Sequence, residues 1–274
     1  MKNIIIGNGK VSNIIRNEND LIVSHEDIEI TNYDNIKKYF STKNISEYES
    51  IINTAAKINL EWCQNNKKDA YHVNTSGVIN LLEFCKLYNK KFVQISSGCI
   101  FDGNEKEVCE TDQATPSVWY TYTKTWADEI IKNYGYENYL ILRPRQLISS
   151  KKNNTNMLTK FLSMNAINAI DENNSITCIE DFKEMIQHLL QNNCCGIYNC
   201  VNEGYLTPYQ IALSLKDKLK PSMIVNKISY KEFLKTLVNK RVNTIMSINK
   251  LIQSGYQPRN ATVALNWCIE NYHE

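Results

Sequence analysis

Asn3-Ile4-Ile5-Ile6-Gly7-Asn8-Gly9-Lys10-Val11-Ser12 decides the fold: a short β-branched run, two glycines one residue apart, then a segment able to open a helix. A strand that turns through glycines into a helix is the context that gives such a motif meaning. Gly7 permits the tight turn, Gly9 lets the backbone approach a pyrophosphate, and the helix N-terminus that follows attracts its charge. Gly7, Asn8, Gly9, Lys10 and Val11 are therefore candidate phosphate-binding residues. Ser12 stands where a third glycine is usual, and its small side chain still allows close helix packing. The plain alternative is a strand-to-helix turn with no ligand.

Outward from this turn, Leu21-Val23, Ile51-Asn53, Phe92-Ile95 and Tyr139-Leu142 read as further strands separated by helical patterns. Such alternation implies right-handed crossovers and a parallel sheet covered on both faces. Asp69 to Leu87 reads as one helix, with Val73, Val78, Leu81, Leu82 and Phe84 forming its apolar face. After Arg143 the rhythm breaks. Ser149 to Asn156 is a polar loop, Gly196 to Cys200 a returning strand, and Thr207 to Leu219 a helix packed on the main domain. The expected fold is α/β, a Rossmann-like doubly wound parallel sheet with a smaller C-terminal substrate lobe. Residues 1–145, completed by about 179–219, would form the dinucleotide-binding domain, and 146–178 with 220–274 the lobe.

An acidic residue about 20 positions past the glycines would bind the adenosine ribose of NAD. Here the second strand ends Val23-Ser24-His25, so Ser24 occupies that place and a ribose 2'-phosphate is not repelled. The expected cofactor is NADPH, with NADH left open. Ala55 and Ala56 would form a small-residue floor under it.

Tyr120-Thr121-Tyr122-Thr123-Lys124 pairs a phenol with an ammonium, and Ser96-Ser97-Gly98-Cys99 precedes it at the end of an apolar run. If Tyr120 to Tyr134 is helical, residues four apart share a face, and among these tyrosines only Tyr120 has a lysine at that spacing. A phenol titrates near about 10 in water, and a cation beside it favours its ionised form. With a hydroxyl from Ser97, the group can hydrogen-bond a developing alkoxide and deliver its proton, as hydride transfer to a ketone requires.

Composition narrows the field. The 274 residues are 43% hydrophobic and 22% charged, enough for a substantial core, and 31 basic against 29 acidic residues leave a net charge of +2. No basic block argues for nucleic acid or an anionic membrane. The opening apolar run is too short for a signal peptide or a span, so a cytoplasmic protein is expected. Nine scattered cysteines without a CxxC pair, and four histidines without ligand spacing, indicate neither a disulfide framework nor a metal site.

The stretches INTAA from Ile52, VNTSGVINLLEFC from Val73, QISSGCIFDG from Gln94, WYTYTK from Trp119 and GIYNCVNEGY from Gly196 resemble, in order, the extended short-chain dehydrogenases/reductases of the dTDP-4-dehydrorhamnose reductase branch. Glu61-Trp62-Cys63, Gly98 to Phe101 and Arg143 to Lys160 are more similar to the UDP-4-keto-6-deoxyglucose 3,5-epimerase/4-reductases of plants and giant viruses, which make UDP-L-rhamnose. The resemblance implies that Ser97, Tyr120 and Lys124 are the reductase residues and that the substrate is a UDP-sugar, with UDP against dTDP undecided. It implies a second acid/base pair, Cys99 and Lys160, for epimerisation. A thiol titrates near about 8.5, and a lysine made neutral by burial removes a proton. Asn74, Arg143, Arg145, Asn156 and Arg241 are the implied substrate contacts, the guanidiniums for the diphosphate. A homodimer is what the family leads one to expect. The competing readings are a 4-reductase without epimerase activity and a cofactor-binding regulatory subunit without turnover.

Overall fold

The computed structural model describes residues 1–103 and 106–273. Its strands, in chain order, are β1 (Asn3–Ile6), β2 (Leu21–Val23), β3 (Ser50–Asn53), β4 (Lys91–Ile95), β5 (Tyr139–Arg143), β6 (Leu147–Ile148), β7 (Ala166–Ile170), β8 (Thr177–Cys178), β9 (Gly196–Asn199) and β10 (Ile224–Ile228). Six of them form one sheet in the order β2-β1-β3-β4-β5-β9. The β1–β2, β1–β3, β3–β4 and β4–β5 pairs are all parallel. The fold is the expected Rossmann-like α/β arrangement. Because helices cover a parallel sheet on both faces, its strands are apolar along their length rather than alternating. Ile4, Ile5, Ile51, Phe92, Val93, Leu140 and Ile141 accordingly bury completely or nearly so, each worth about 1.5–3 kcal/mol.

The chain forms two compact units. The first comprises Met1–Ile100, Ala114–Arg143 and Leu189–Tyr198. The second comprises Phe101–Gln113, Pro144–His188 and Asn199–Glu274. In the first, Val78, Leu81, Leu82, Phe84 and Cys85 of the helix Gly77–Leu87 pack against Ile4, Ile6, Ile51 and Phe92. The second has its own core, in which Ile148, Leu158, Ile167, Ile211, Leu215, Leu265 and Ile269 meet.

Two expected elements differ. The helix read as Asp69 to Leu87 is interrupted: Lys67–Tyr71 and Gly77–Leu87 are α-helical, and His72–Ser76 is a wide π turn between them. Single π turns inside α-helices accompany functional sites, and this one carries Asn74. The helix Pro208–Lys218 starts where expected, because Thr207 and Gln210 form a reciprocal capping box with proline at the first turn. It belongs to the second unit, however, where it packs on the parallel pair β7–β10. Its buried face, Ile211, Ala212 and Leu215, is complementary to that pair's core. Among the described residues no helix is long and apolar enough to cross a membrane.

Candidate active site

The carboxyl ends of β1, β3 and β4 gather the candidate residues of the first unit. Gly7 follows β1 with φ of +107°, and its amide donates to the Val23 carbonyl at 2.7 Å. A Cβ added there would lie 2.6 Å from Thr54 Oγ1 and 3.1 Å from the Ala55 amide, so glycine is required for the turn after β1 to touch the turn after β3. Gly9 differs: a Cβ added there meets nothing within 4 Å. Its backbone borders open space. Lys10, Val11, Ala55 and Ala56 are half-buried and Asn8 is exposed.

Ser24 directly follows β2, and its donors are already engaged. Its amide and hydroxyl both reach Asp27 Oδ2, at 2.7 and 2.8 Å. These bonds hold the Asp27 carboxyl below its ordinary value. An acid therefore stands beside the end of β2 after all, three residues later than the usual position.

The catalytic candidates lie on the helix Trp119–Asn133 and on the turn after β4. Tyr120 is buried among Cys63, Ala70, Leu60 and Trp119, and the Ser97 hydroxyl lies close enough to favour the ionised form of its phenol. Cys99, half-buried, donates its amide to Ser97 Oγ at 3.1 Å and lies close enough to Tyr120 to act on its charge. Lys124 is 2% exposed, and Nζ donates to the Ile95 carbonyl at 2.8 Å. Ser97, Cys99, Tyr120 and Lys124 are thus brought together.

The electrostatics differ from expectation. Burial pushes the Tyr120 phenol well above its ordinary value, Cys99 adds to this, and the Ser97 hydroxyl opposes only part of it. Lys124 does not hydrogen-bond the phenol. Its own ammonium is pulled by burial down to about 8, against the opposing pull of Asp128. Desolvation, which disfavours whichever form is charged, is the largest influence on both groups.

Several candidates are committed elsewhere. Asn74 is buried, and its amide group clamps the Lys57 backbone, accepting from Lys57 N at 2.7 Å and donating to Lys57 O at 2.9 Å. A further bond to Thr123 Oγ1 at 3.1 Å ties this clamp to the helix of Tyr120, so Asn74 supports the site from below. Arg143 is turned inward, Nε on Asp128 Oδ2 at 3.1 Å with both side chains buried. In the second unit Arg145 is buried and donates to the Val242 carbonyl. Asn156 caps the helix Met157–Leu162 and spends its amide nitrogen on Ser149 O and Lys151 O. Lys160 and Arg241 are exposed, so Lys160 lacks the burial that its expected role as a neutral base calls for. A group that spacing does not announce, Cys178, Glu180 and Cys268, has its ligand atoms within 4.8 Å of one another. It is closed by hydrogen bonds from Ser149 and Ser150 to Glu180 and from Cys178 to Glu180.

Sequence reasoning missed Asp128 and Asp27. Asp128 was readable, since it follows Lys124 at the spacing by which Lys124 follows Tyr120, and all three are buried. Asp27 carried the signal Ser-x-x-Asp, a capping pattern.

Among known proteins, the chain is 27% identical over 202 residues to a protein of Arabidopsis thaliana named bifunctional dTDP-4-dehydrorhamnose 3,5-epimerase/dTDP-4-dehydrorhamnose reductase, covering 70% of this chain and 66% of the relative. The chain thus spans just under two thirds of that relative's length. The structure superposes on the dTDP-4-dehydrorhamnose reductase of Bacillus anthracis, solved in complex with NADP, with a TM-score of 0.87 at 21% identity over 99% of this chain and 98% of the other. It superposes on the L780 UDP-rhamnose synthase of Acanthamoeba polyphaga mimivirus with a TM-score of 0.86 at 20% identity over 99% of both. At those identities the likeness carries the fold. The model of the RmlD substrate binding domain matches residues 8–274, and the chain belongs to that family.

Proposed function

We propose that this chain is an NADPH-dependent reductase of a nucleotide-linked 4-keto-6-deoxy sugar, of the kind that yields UDP- or dTDP-L-rhamnose. The observation that carries the reading is the buried Ser97, Tyr120 and Lys124 constellation at the carboxyl end of a parallel sheet, in a chain of this family. Ligands of open α/β sheets bind outside the carboxyl ends of the strands. The open space over Gly9 fits a pyrophosphate approaching the backbone, and Gly7, Asn8, Gly9, Lys10 and Val11 would hold it. Ala55 and Ala56 would lie under the dinucleotide, Ser24 near the adenosine ribose, and Tyr120 with Lys124 at the nicotinamide end. NADPH, when bound, supplies the hydride.

The chain's own residues supply the rest. The raised phenol keeps Tyr120 protonated through neutral pH, so it meets a substrate carbonyl as a hydrogen-bond donor. Ser97 gives a second donor to the same oxygen. As the carbonyl becomes an alkoxide both bonds strengthen, and Tyr120 passes its proton to the oxygen. Of the implied diphosphate contacts, Arg241 is the exposed guanidinium and the one assigned to that role, since Arg143 and Arg145 are turned inward.

A second activity, 3,5-epimerisation before reduction, is favoured by Cys99, a half-buried thiol beside Ser97 and Tyr120. The same oxygen-polarising pair would stabilise the enolate formed when a proton leaves C3 or C5. Lys160, as the partner acid/base, has less support from its exposure.

The test is incubation with UDP-4-keto-6-deoxyglucose in deuterated water, with and without NADPH, followed by NMR. Deuterium at C3 and C5 without NADPH, and UDP-rhamnose with it, would support both activities. Turnover of an epimerised substrate alone would leave the reductase, and inertness toward both sugars would refute the proposal.

A further inference from the structure

We propose a metal site that keto reduction does not use: Cys178, Glu180 and Cys268 bind a thiophilic divalent cation of the zinc type. All three residues belong to the second unit. Cys178 ends β8, Glu180 lies in the first turn of the helix Ile179–Gln191, and Cys268 lies on the helix Ala261–Glu270. The two cysteines are 90 residues apart, so no spacing motif announces them. Their sulfurs stand 3.6 Å apart, Cys178 Sγ is 3.2 Å from Glu180 Oε2, and the three ligand atoms lie within 4.8 Å of one another. A tetrahedral centre with Zn–S of about 2.3 Å and Zn–O of about 2.0 Å sets two sulfurs about 3.8 Å apart, and a sulfur and an oxygen about 3.5 Å apart. Two edges of that tetrahedron are therefore already close to their required lengths.

The surroundings hold the ligands for this task. Glu180 Oε1 takes the Ser149 hydroxyl at 2.8 Å, the Ser150 amide at 3.0 Å and the Ser150 hydroxyl at 2.8 Å, which fixes the carboxylate with Oε2 toward Cys178. Cys178 is pinned through its amide, which donates to Asn202 Oδ1 at 2.8 Å. Arg259, paired with Asp181, places Nη2 3.7 Å from Cys178 Sγ, and a cation there favours the thiolate, the form that binds metal. Partners of this kind orient ligands and tune their basicity. Without a metal the pair keeps its protons, since the hydrogen bond with Cys178 and burial both push the Cys268 thiol far up. A divalent cation reverses this: each sulfur gives its proton to solvent and bonds the metal, two protons for one cation. Two sulfurs with one carboxylate suit zinc, whereas magnesium and calcium take oxygen ligands. The fourth position is left for water or a small ligand.

The test is cobalt(II) and zinc(II) binding by the full chain after reduction and chelator treatment, in a Cys109→Ala/Cys195→Ala background that removes the exposed thiols. One cobalt per chain should bind with sulfur-to-cobalt charge-transfer absorption and the visible bands of a tetrahedral centre, release two protons and be displaced by zinc. Zinc should also raise the melting temperature. Loss of an outer partner weakens a metal site by about 10–100-fold, so Ser150→Ala should cost about tenfold and Cys178→Ala or Cys268→Ala more than about 100-fold. If the cysteine variants fail to fold, Glu180→Gln, half-buried and of the same shape, carries the test and should weaken binding by at least about tenfold. Absence of the charge-transfer band, undiminished binding in the variants that fold, or conversion of the two thiols to a disulfide in place of metal uptake would overturn the inference. None of these readouts depends on keto reduction, so the site and the proposed function stand or fall separately.

Discussion

Lys124→Met probes the physics of the site without any substrate. The Lys124 ammonium is buried, with the Ile95 carbonyl as acceptor, and burial pulls it from an ordinary 10.5 down to about 8. Because the folded value lies below the unfolded one, the unfolded chain holds the extra proton between them. The burial cost is then fully present below pH 8 and relieved as pH rises toward 10.5. The interval corresponds to about 3 kcal/mol. The buried thiols of Cys63, Cys85 and Cys268 act in the opposite sense, since their raised values retain protons that the unfolded chain releases. They are common to both proteins, so the difference between wild type and Lys124→Met isolates the lysine. Urea denaturation of the cofactor-free protein from pH 7 to pH 10 should show wild type gaining on the variant above pH 8, with a limiting slope of about 1.4 kcal/mol per pH unit. A difference flat across that range would refute the claim that burial controls this lysine.

Tyr120→Phe keeps the ring packing against Cys63 and Ala70 but removes the proton donor, so keto reduction should fall about 10²–10⁴-fold while NADPH binding, followed by fluorescence, is retained; unaltered turnover would remove Tyr120 from the chemistry. Gly7→Ala and Gly9→Val separate folding from binding. The first forces a Cβ against Thr54 at a positive φ and should lower thermal stability, whereas the second enters open space and should leave the melting temperature alone while weakening NADPH binding. Equal loss of stability in both would contradict the open approach at Gly9. Cys99→Ala should abolish solvent deuterium incorporation at C3 and C5 while leaving reduction of an already epimerised sugar intact, and persistence of exchange would assign the epimerase acid elsewhere.

Strands and helix starts were legible in the sequence because short-range chemistry decides them. β-branched runs bounded by glycine or polar residues specify β1 to β5 within a residue or two, and Thr207 with Gln210 announces a helix through its cap. The Tyr120, Lys124 and Ser97 grouping was legible because helical spacing and a strand end fix which atoms meet. What could not be read was commitment. Asn74, Arg143 and Asn156 carry the right chemistry for substrate, yet Asn74 is engaged by Lys57 and Arg143 by Asp128, on other elements, and Asn156 by the nearby 149–151 backbone. Spacing reports which groups share a face, whereas the partner across the fold depends on packing. The wide turn at His72–Ser76 was hidden for the same reason, since the continuous apolar pattern from Val73 to Phe84 runs through it.

On the proposed function, the direction of the Tyr120 shift bears on which half-reaction the resting site suits. A phenol lowered by a neighbouring cation would rest partly as phenolate, a base suited to taking a proton from an alcohol. Here desolvation dominates and the phenol rests protonated, while the lysine beneath it stands near about 8, poised close to physiological pH. A ketone arriving at such a site finds a proton already in place and an oxygen-polarising pair that needs no rearrangement. On the proposed function, the resting site is therefore prepared for reduction. Oxidation of the alcohol would first require charging a buried phenol, which becomes easier only when positive charge is brought beside it. On the proposed function, a Tyr120 that rests protonated suits the reductive half of the reaction.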